Sequence, residues 1–152
     1  MISYQQFTLS NGLQVIVHED HTSTLAVMDV IYDVGSRDED PNRTGFAHLF
    51  EHLMFGGSAN IPNYDSPLQQ VGGENNAFTT PDLTNYYISV PYQNLETAFW
   101  LESDRMLQLA FNPQSLEVQR KVVIEEFKQR YLNQPYGDVW LKFRPLIYNK
   151  HP

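Results

Sequence analysis

The first part of the chain shows short apolar runs separated by turn residues, a pattern typical of β-strands. Strand-forming residues flank the pair Asn11-Gly12, and an Asn-Gly pair in that setting is a strong hairpin signal. The apolar run over residues 24–34 predicts a buried strand. Two more strands are predicted at residues 77–80 and 86–90, on either side of a Pro-Asp turn.

Five later or intervening stretches predict helices, most of them from apolar residues that recur every three or four positions. They cover residues 44–55, which stop at a Gly-Gly pair, then part of 61–71, 94–109, 113–132 and 137–148. Strands and helices follow each other without a regular β-α-β alternation. The pattern therefore predicts an α+β fold, with a mixed, largely antiparallel sheet and helices packed on it.

Composition narrows the possible partners. The chain has 152 residues, with 10 Lys and Arg against 18 Asp and Glu, which gives a net charge of −8. An acidic chain of this kind argues against nucleic acid and against an anionic membrane surface as partners, because both attract clustered Lys and Arg. No apolar stretch is long enough to cross a bilayer. We expect a single domain, or part of one, with enough apolar residues (41%) for a core.

The absence of cysteine and of a leader pattern excludes further kinds of site and favours one compartment. With no cysteine, disulfide bridges, thiolate zinc sites and cysteine nucleophiles are all excluded. The first residues lack a basic segment followed by an apolar one, so no signal peptide is expected. A cytoplasmic location is therefore favoured over a periplasmic one, and the compartment is otherwise left open.

The most informative motif is His48-Leu49-Phe50-Glu51-His52, within the first long predicted helix. Residues four apart lie on one face of a helix, so His48 and His52 can present two imidazole nitrogens to one metal ion. Glu51 flanks that face and can take a proton from water that zinc activates. The order HxxEH is the inverzincin pattern. The alternative, two ordinary histidines beside a solvated glutamate, is disfavoured because this composition gives a chance match with a probability on the order of 0.01.

A catalytic zinc site needs a third protein ligand, and two adjacent glutamates in the predicted helix 113–132 are candidates. The apolar side of this helix is defined by Leu116, Val122, Val123 and Phe127. Glu126 falls on that side, whereas Glu125 points away from it. Since a carboxylate on an apolar side is costly unless it is paired or bound to a metal, Glu126 is the better candidate ligand.

These features resemble the pitrilysin/insulinase family of zinc peptidases, which also includes the mitochondrial processing peptidases. The similar segments cover nearly the whole chain and are residues 9–15, 35–39, 45–55, 72–79, 84–87 and 122–126. Glu126 lies 74 residues after His52, close to the family's spacing. The resemblance implies a zinc metalloendopeptidase in which His48, His52 and Glu126 bind one Zn²⁺ and Glu51 is the general base.

The resemblance also implies how a substrate binds. Asn76 and Ala77 are expected on a strand beside the metal, where a peptide substrate would pair with the strand's edge. Family members often carry a further glutamate two helical turns before the last ligand, and this chain has Gln119 there. Glutamine cannot supply charge or act as a base, so we expect any helper role at that position to be reduced.

Family members are built from paired homologous domains, so residues 1–152 are expected to form an incomplete N-terminal peptidase domain. The rest of that domain and a second homologous domain or subunit, in a homodimer or heterodimer, would complete the site. We expect weak or no proteolysis from residues 1–152 alone. The alternative is a non-catalytic partner subunit that uses the same fold for peptide binding or assembly. Such partners usually lose HxxEH residues, which this chain keeps. A hydrolase of non-peptide substrates is disfavoured by the segment around Asn76.

Overall fold

The computed structural model describes residues 2–110 and 112–148, and within them the α+β prediction is confirmed. The strands are β1 Gln5–Thr8, β2 Gln14–Val17, β3 Leu25–Tyr32, β4 Glu74–Thr79 and β5 Thr84–Pro91. Strands β1 and β2 form a separate hairpin, and the other three form a sheet in the order β3-β5-β4. All of these pairings are antiparallel. The central strand β5 thus holds the two others in register.

Five α-helices connect and cover the strands in the described part of the chain. They are α1 Phe46–Leu53, α2 Asp65–Gln70, α3 Leu95–Leu107, α4 Pro113–Phe127 and α5 Val139–Ile147. Helix α4 begins at the predicted residue, because the Asn112 side chain accepts a hydrogen bond from the Ser115 N–H and Pro113 occupies the first turn. It is followed by a π-helical turn, Lys128–Leu132. None of the helices in residues 2–110 and 112–148 is long and apolar enough to cross a membrane.

The core lies between the sheet and α2 and α3. Its fully buried members are Ile61, Tyr64, Leu68, Ile88, Val90, Ala98 and Leu101. Helix α3 packs on β3 and β5, and α1 lies against β4 and β5. Helix α4 has α1 as its main neighbour. The sheet therefore determines the position of α1, and α4 packs against α1.

The prediction that residues 24–34 form a buried strand is wrong in one respect. Side chains of β3 alternate between partly buried and exposed, and Leu25, Val27 and Ile31 are more than half exposed. The strand is an edge of the sheet, and the core helices pack on one face of it. Apolar composition alone therefore indicated a strand but did not show that only one of its faces is covered.

The predicted apolar side of α4 is likewise less buried than expected. Leu116, Val122 and Phe127 retain 38%, 45% and 42% of their exposure, and no residue of α4 is fully buried. The reason is that α1 covers only part of that side in the described residues. Glu126, the half-buried member of the Glu125–Glu126 pair, nevertheless faces α1, as helix periodicity predicts.

Candidate metal centre

Helix α1 carries the HxxEH motif, and its first turn is fixed by a side chain from the preceding loop. The Glu39 carboxylate accepts hydrogen bonds from the N–H groups of Gly45 (2.6 Å) and Ala47 (2.7 Å). A carboxylate at this end of a helix satisfies free N–H groups and opposes the helix dipole. Gly45 has φ of +95°, a left-handed conformation that favours glycine. The start of the helix that carries the HxxEH motif is therefore held in place by Glu39.

The structure brings the three predicted ligands, His48, His52 and Glu126, together. His48 Nε2 and His52 Nε2 are 3.2 Å apart. Glu126 Oε2 lies 3.5 Å from His48 Nε2 and 3.3 Å from His52 Nε2. In the part of the chain that the structure describes, these three side chains form a group that could hold a metal ion.

The three distances fit a bound zinc ion. Tetrahedral zinc holds nitrogen and oxygen ligands at about 2.0–2.1 Å, which places neighbouring ligand atoms about 3.3–3.4 Å apart. The observed separations of 3.2, 3.3 and 3.5 Å are close to that value. Charged hydrogen bonds between nitrogen and a carboxylate are shorter, at about 2.7–2.9 Å. The triangle is therefore better suited to a cation in its centre than to direct histidine–glutamate pairing.

The chemistry of the donor set points the same way. Two imidazoles and one carboxylate are the protein ligands of a large class of catalytic zinc sites, which keep a fourth position open. The site is accessible, since the side chains of His48, His52 and Glu126 keep 34%, 22% and 39% of their exposure. A cavity of about 270 Å³ adjoins it and is lined by His48, Glu51, His52, Phe55, Asn76 and Glu126.

Glu51 lines the same cavity as the three donors but is not one of them. Its Oε2 accepts a short hydrogen bond from the hydroxyl of Thr79, at the end of β4. Tyr86 of β5 is also close enough to be affected: burial raises the pKa of this phenol, Arg105 opposes the rise, and the Glu51 carboxylate adds to it. Glu51 is thus a carboxylate beside the metal position with a fixed partner on the neighbouring strand.

The predicted substrate-binding residues lie on the same side of the molecule. Asn76 lines the cavity, and β4 is an edge strand of the sheet. The Asn76 Oδ1 accepts a hydrogen bond from the N–H of Ala77 at 2.8 Å. An incoming strand that needed that N–H would have to displace the Asn76 side chain. Their role in substrate binding remains a prediction.

The two glutamates at the end of α4 occupy different surroundings. Glu125 forms an ion pair with Lys128 at 3.2 Å and is 55% exposed. Glu126 contacts both histidines and lies 3.8 Å from Arg130. Glu126 thus faces the two histidines, whereas Glu125 does not. The consequence of Gln119 stays a prediction.

Two residues at the site were not identified from the sequence. Phe55 lies two residues after the end of α1 and seven after His48; in the predicted helix 44–55 this spacing would have placed it on the same face as His48. Thr79 lies 28 residues from Glu51 in sequence, and only the packing of α1 on β4 brings them together. No local pattern carries that information.

Known proteins share both this sequence and this fold. The model of the insulinase family, peptidase family M16, matches residues 14–139. The chain is 34% identical over 98% of its length to a Helicobacter pylori protein named zinc protease PqqE, of which it covers 34%. It is 28% identical over 93% of its length to human insulin-degrading enzyme, of which it covers 14%.

Structural comparison agrees. The crystal structure of a protease from Helicobacter pylori superimposes with a TM-score of 0.89 and 33% identity over 95% of this chain and 35% of that one. The chain thus spans about a third or less of the length of these relatives. A family model that covers most of the chain, relatives named as zinc proteases and a shared fold lead to one conclusion. The chain belongs to the insulinase family, peptidase family M16.

Proposed function

We propose that this chain carries the zinc centre and the general base of a metalloendopeptidase. The observation that carries the proposal is the triangle of His48, His52 and Glu126 donor atoms, with sides of 3.2–3.5 Å, beside the Glu51 carboxylate. The membership of the family and the names of the relatives support a metallopeptidase role in general. The assignment of each residue to a role is the further step proposed here.

The residues of the chain would divide the work in the following way. When bound, zinc acts as a Lewis acid and activates water for attack on a peptide carbonyl. His48, His52 and Glu126 would hold the ion beside the cavity. Glu51 takes the proton of the attacking water and later gives it to the leaving amine, so that one carboxylate serves as base and then as acid.

The substrate is proposed to be a peptide in an extended conformation. An edge strand next to a catalytic centre offers backbone hydrogen-bonding groups to an added strand, and β4 is such an edge. Asn76 lies where its carboxamide can contact the peptide bond near the metal position, and the Ala77 N–H becomes available to the substrate when that carboxamide turns away from it. Recognition of the backbone would make the enzyme tolerant of the side chains in its substrates.

We further propose that the chain acts as the N-terminal peptidase domain of a longer protein. The support for this proposal is the small share of each relative that the chain spans, 34% of the Helicobacter pylori protein and 14% of human insulin-degrading enzyme. The rest of the domain and a second homologous domain or subunit would complete the substrate chamber, in a homodimer or heterodimer. Activity is therefore best measured with the full-length protein.

The test combines metal analysis with peptide cleavage. The full-length protein is expected to bind one zinc ion at this site and to cleave unfolded peptides. Glu51→Gln should keep the zinc and lose at least about 100-fold in kcat, since a general base contributes about 10²–10⁴-fold. A wild-type protein that binds no zinc, or a Glu51→Gln variant that cleaves at the wild-type rate, would refute the mechanism. A protein that binds zinc and peptides without cleavage would instead be the non-catalytic partner subunit.

A further inference from the structure

The contact between Thr79 and Glu51 joins the metal-binding helix to the proposed substrate-binding strand. The Thr79 hydroxyl donates its hydrogen bond to Oε2 of Glu51, and both side chains are half-buried. Within the described residues, Thr79 is the hydrogen-bond partner that the structure gives to this carboxylate. Hydrogen bonds to a charged acceptor are the stronger ones in proteins. The contact is thus well placed to restrict where the Glu51 carboxylate points.

Thr79 is itself held rigidly, because it lies at the end of a tightly bonded hairpin. It pairs with Thr84 in the last register position of β4 and β5. In the turn that follows, the Thr80 N–H donates to the Leu83 carbonyl at 2.8 Å, and Thr80 Oγ1 accepts from the Leu83 N–H at 3.0 Å. Thr79 stands directly before this turn and therefore has little freedom to move. A residue that orients another side chain needs such rigidity.

A glutamate has three side-chain torsions, so a general base on a helix needs something to fix its carboxylate. Thr79 bonds one oxygen of Glu51, Oε2, and within the described residues the other oxygen, Oε1, has no hydrogen bond and can take a proton. Misplacement of a catalytic group by about 1 Å can cost about 100-fold in rate. An orienting hydrogen bond of this kind would therefore act on the chemical step and not on metal binding or substrate affinity.

We propose that Thr79 is a positioning residue for the general base: its hydroxyl holds Oε2 of Glu51 so that Oε1 faces the reacting water. The inference rests on the proposed function of Glu51 as the base. It extends that function to a residue on a different element, because Thr79 belongs to β4, the same strand as Asn76 and Ala77. The strand that would bind the substrate thereby also orients the general base that takes the proton of the attacking water.

The first test is kinetic and uses the full-length, zinc-loaded protein. Thr79→Val keeps the shape of the side chain and removes the donor, so kcat should fall about 10- to 100-fold while KM changes little. Thr79→Ser restores the hydroxyl and should restore most of kcat. The matched control is Thr84→Val, since Thr84 lies opposite Thr79 on the same hairpin and its hydroxyl donates to the Val34 carbonyl (2.9 Å) instead of to Glu51. An equal loss of kcat in Thr84→Val, or no rescue by serine, would overturn the proposal.

The second test does not depend on activity. In the metal-free protein, Thr79→Val should lower the unfolding temperature by several degrees in the wild-type background and have little effect when Glu51 is already alanine. Zinc affinity, measured by competition with a coloured chelator, should be the same in Thr79→Val and wild type. Additive shifts in unfolding temperature would show that the hydrogen bond is absent and overturn the inference. An inactive, zinc-loaded wild type would remove the proposed function, and Thr79 would then have no base to position.

Discussion

Two of the ionisable side-chain clusters in the described residues differ in whether a carboxylate has a hydrogen-bond donor beside it. In the core, Glu102 and Arg105 of α3 are each only 3% exposed. Arg105 donates two hydrogen bonds to Glu102, one of them from Nε at 2.9 Å, and the Tyr64 hydroxyl donates a third at 2.6 Å. The guanidinium also lies over the rings of Tyr64 and Tyr86, at 4.7 and 4.5 Å. This core cluster carries its own counter-charge.

The metal cluster of His48, His52 and Glu126 is arranged in the opposite way. Two imidazole nitrogens and one carboxylate oxygen converge at 3.2–3.5 Å, and each side chain remains partly exposed. A carboxylate that accepts hydrogen bonds from neighbouring cationic and hydroxyl groups indicates a structural role, because its charge is balanced without a ligand. Metal-binding atoms that face one another at this spacing fit a cation between them. The comparison thus separates a charged group that holds the fold from one that binds an ion.

The largest effect is expected from breaking the core cluster. Arg105→Leu would leave the Glu102 carboxylate buried with the Tyr64 hydroxyl as its remaining donor, and removal of one partner of a buried ion pair costs about 3–5 kcal/mol. Chemical unfolding should measure a loss of that size in the free energy of unfolding. The double variant Glu102→Leu/Arg105→Leu should regain much of it, because no unpaired charge stays buried.

Removing the charge of Glu126 from the metal cluster should change the free energy of unfolding only slightly when no metal is bound. Glu126 is 39% exposed, so Glu126→Gln should alter the free energy of unfolding of the metal-free protein by less than about 1 kcal/mol. If both clusters cost the same to disrupt, or if Arg105→Leu is harmless, the distinction between a structural and an ion-binding cluster fails.

Zinc should stabilise the protein through the metal cluster, by somewhat less than the loss expected from Arg105→Leu. Free zinc at 100 times its dissociation constant should raise the free energy of unfolding by about 2.7 kcal/mol, and a chelator should remove the gain. Glu126→Ala should weaken zinc binding by at least about 100-fold, because it removes one of three protein ligands. Glu125→Ala is the matched control and should bind zinc as the wild type does, since Glu125 pairs with Lys128 instead. The opposite order of the two variants would overturn the ligand assignment.

The sequence predicts the metal cluster far better than the core cluster. His48, Glu51 and His52 sit on one helix, where spacing alone gives their common face, and helix periodicity also separated Glu126 from Glu125. The α+β class and most helix and strand positions followed from local apolar patterns in the same way. These features depend on neighbours in sequence, which is why they could be read directly.

Features that depend on distant contacts were not predicted. Thr79 reaches Glu51 only because α1 packs on β4, and Tyr64 reaches Glu102 from 38 residues away. The exposure of Leu25 and of the apolar side of α4 was also missed, because periodicity shows which face is apolar but not what covers it. Long-range packing, not local propensity, determines these parts of the structure.

The smallest expected effect tests whether the metal cluster has a built-in donor of its own. Arg130 Nη1 lies 3.8 Å from Glu126 Oε1, beyond hydrogen-bond length, and the arginine side chain is 68% exposed. Exposed ion pairs contribute about 0–1 kcal/mol. Arg130→Ala should therefore change zinc affinity by less than about fivefold, and added salt should remove the difference between variant and wild type.

The control for this last change is Arg120→Ala, because Arg120 pairs with Glu117 on the same helix at 2.8 Å and has no contact with the histidines. It should leave zinc affinity unchanged at any salt concentration. Residues that orient a ligand through a firm hydrogen bond typically change metal affinity about 10–100-fold. A loss of that size in Arg130→Ala would mean that Glu126 is held by a donor before the ion arrives. The metal cluster would then resemble the core cluster more than its geometry indicates.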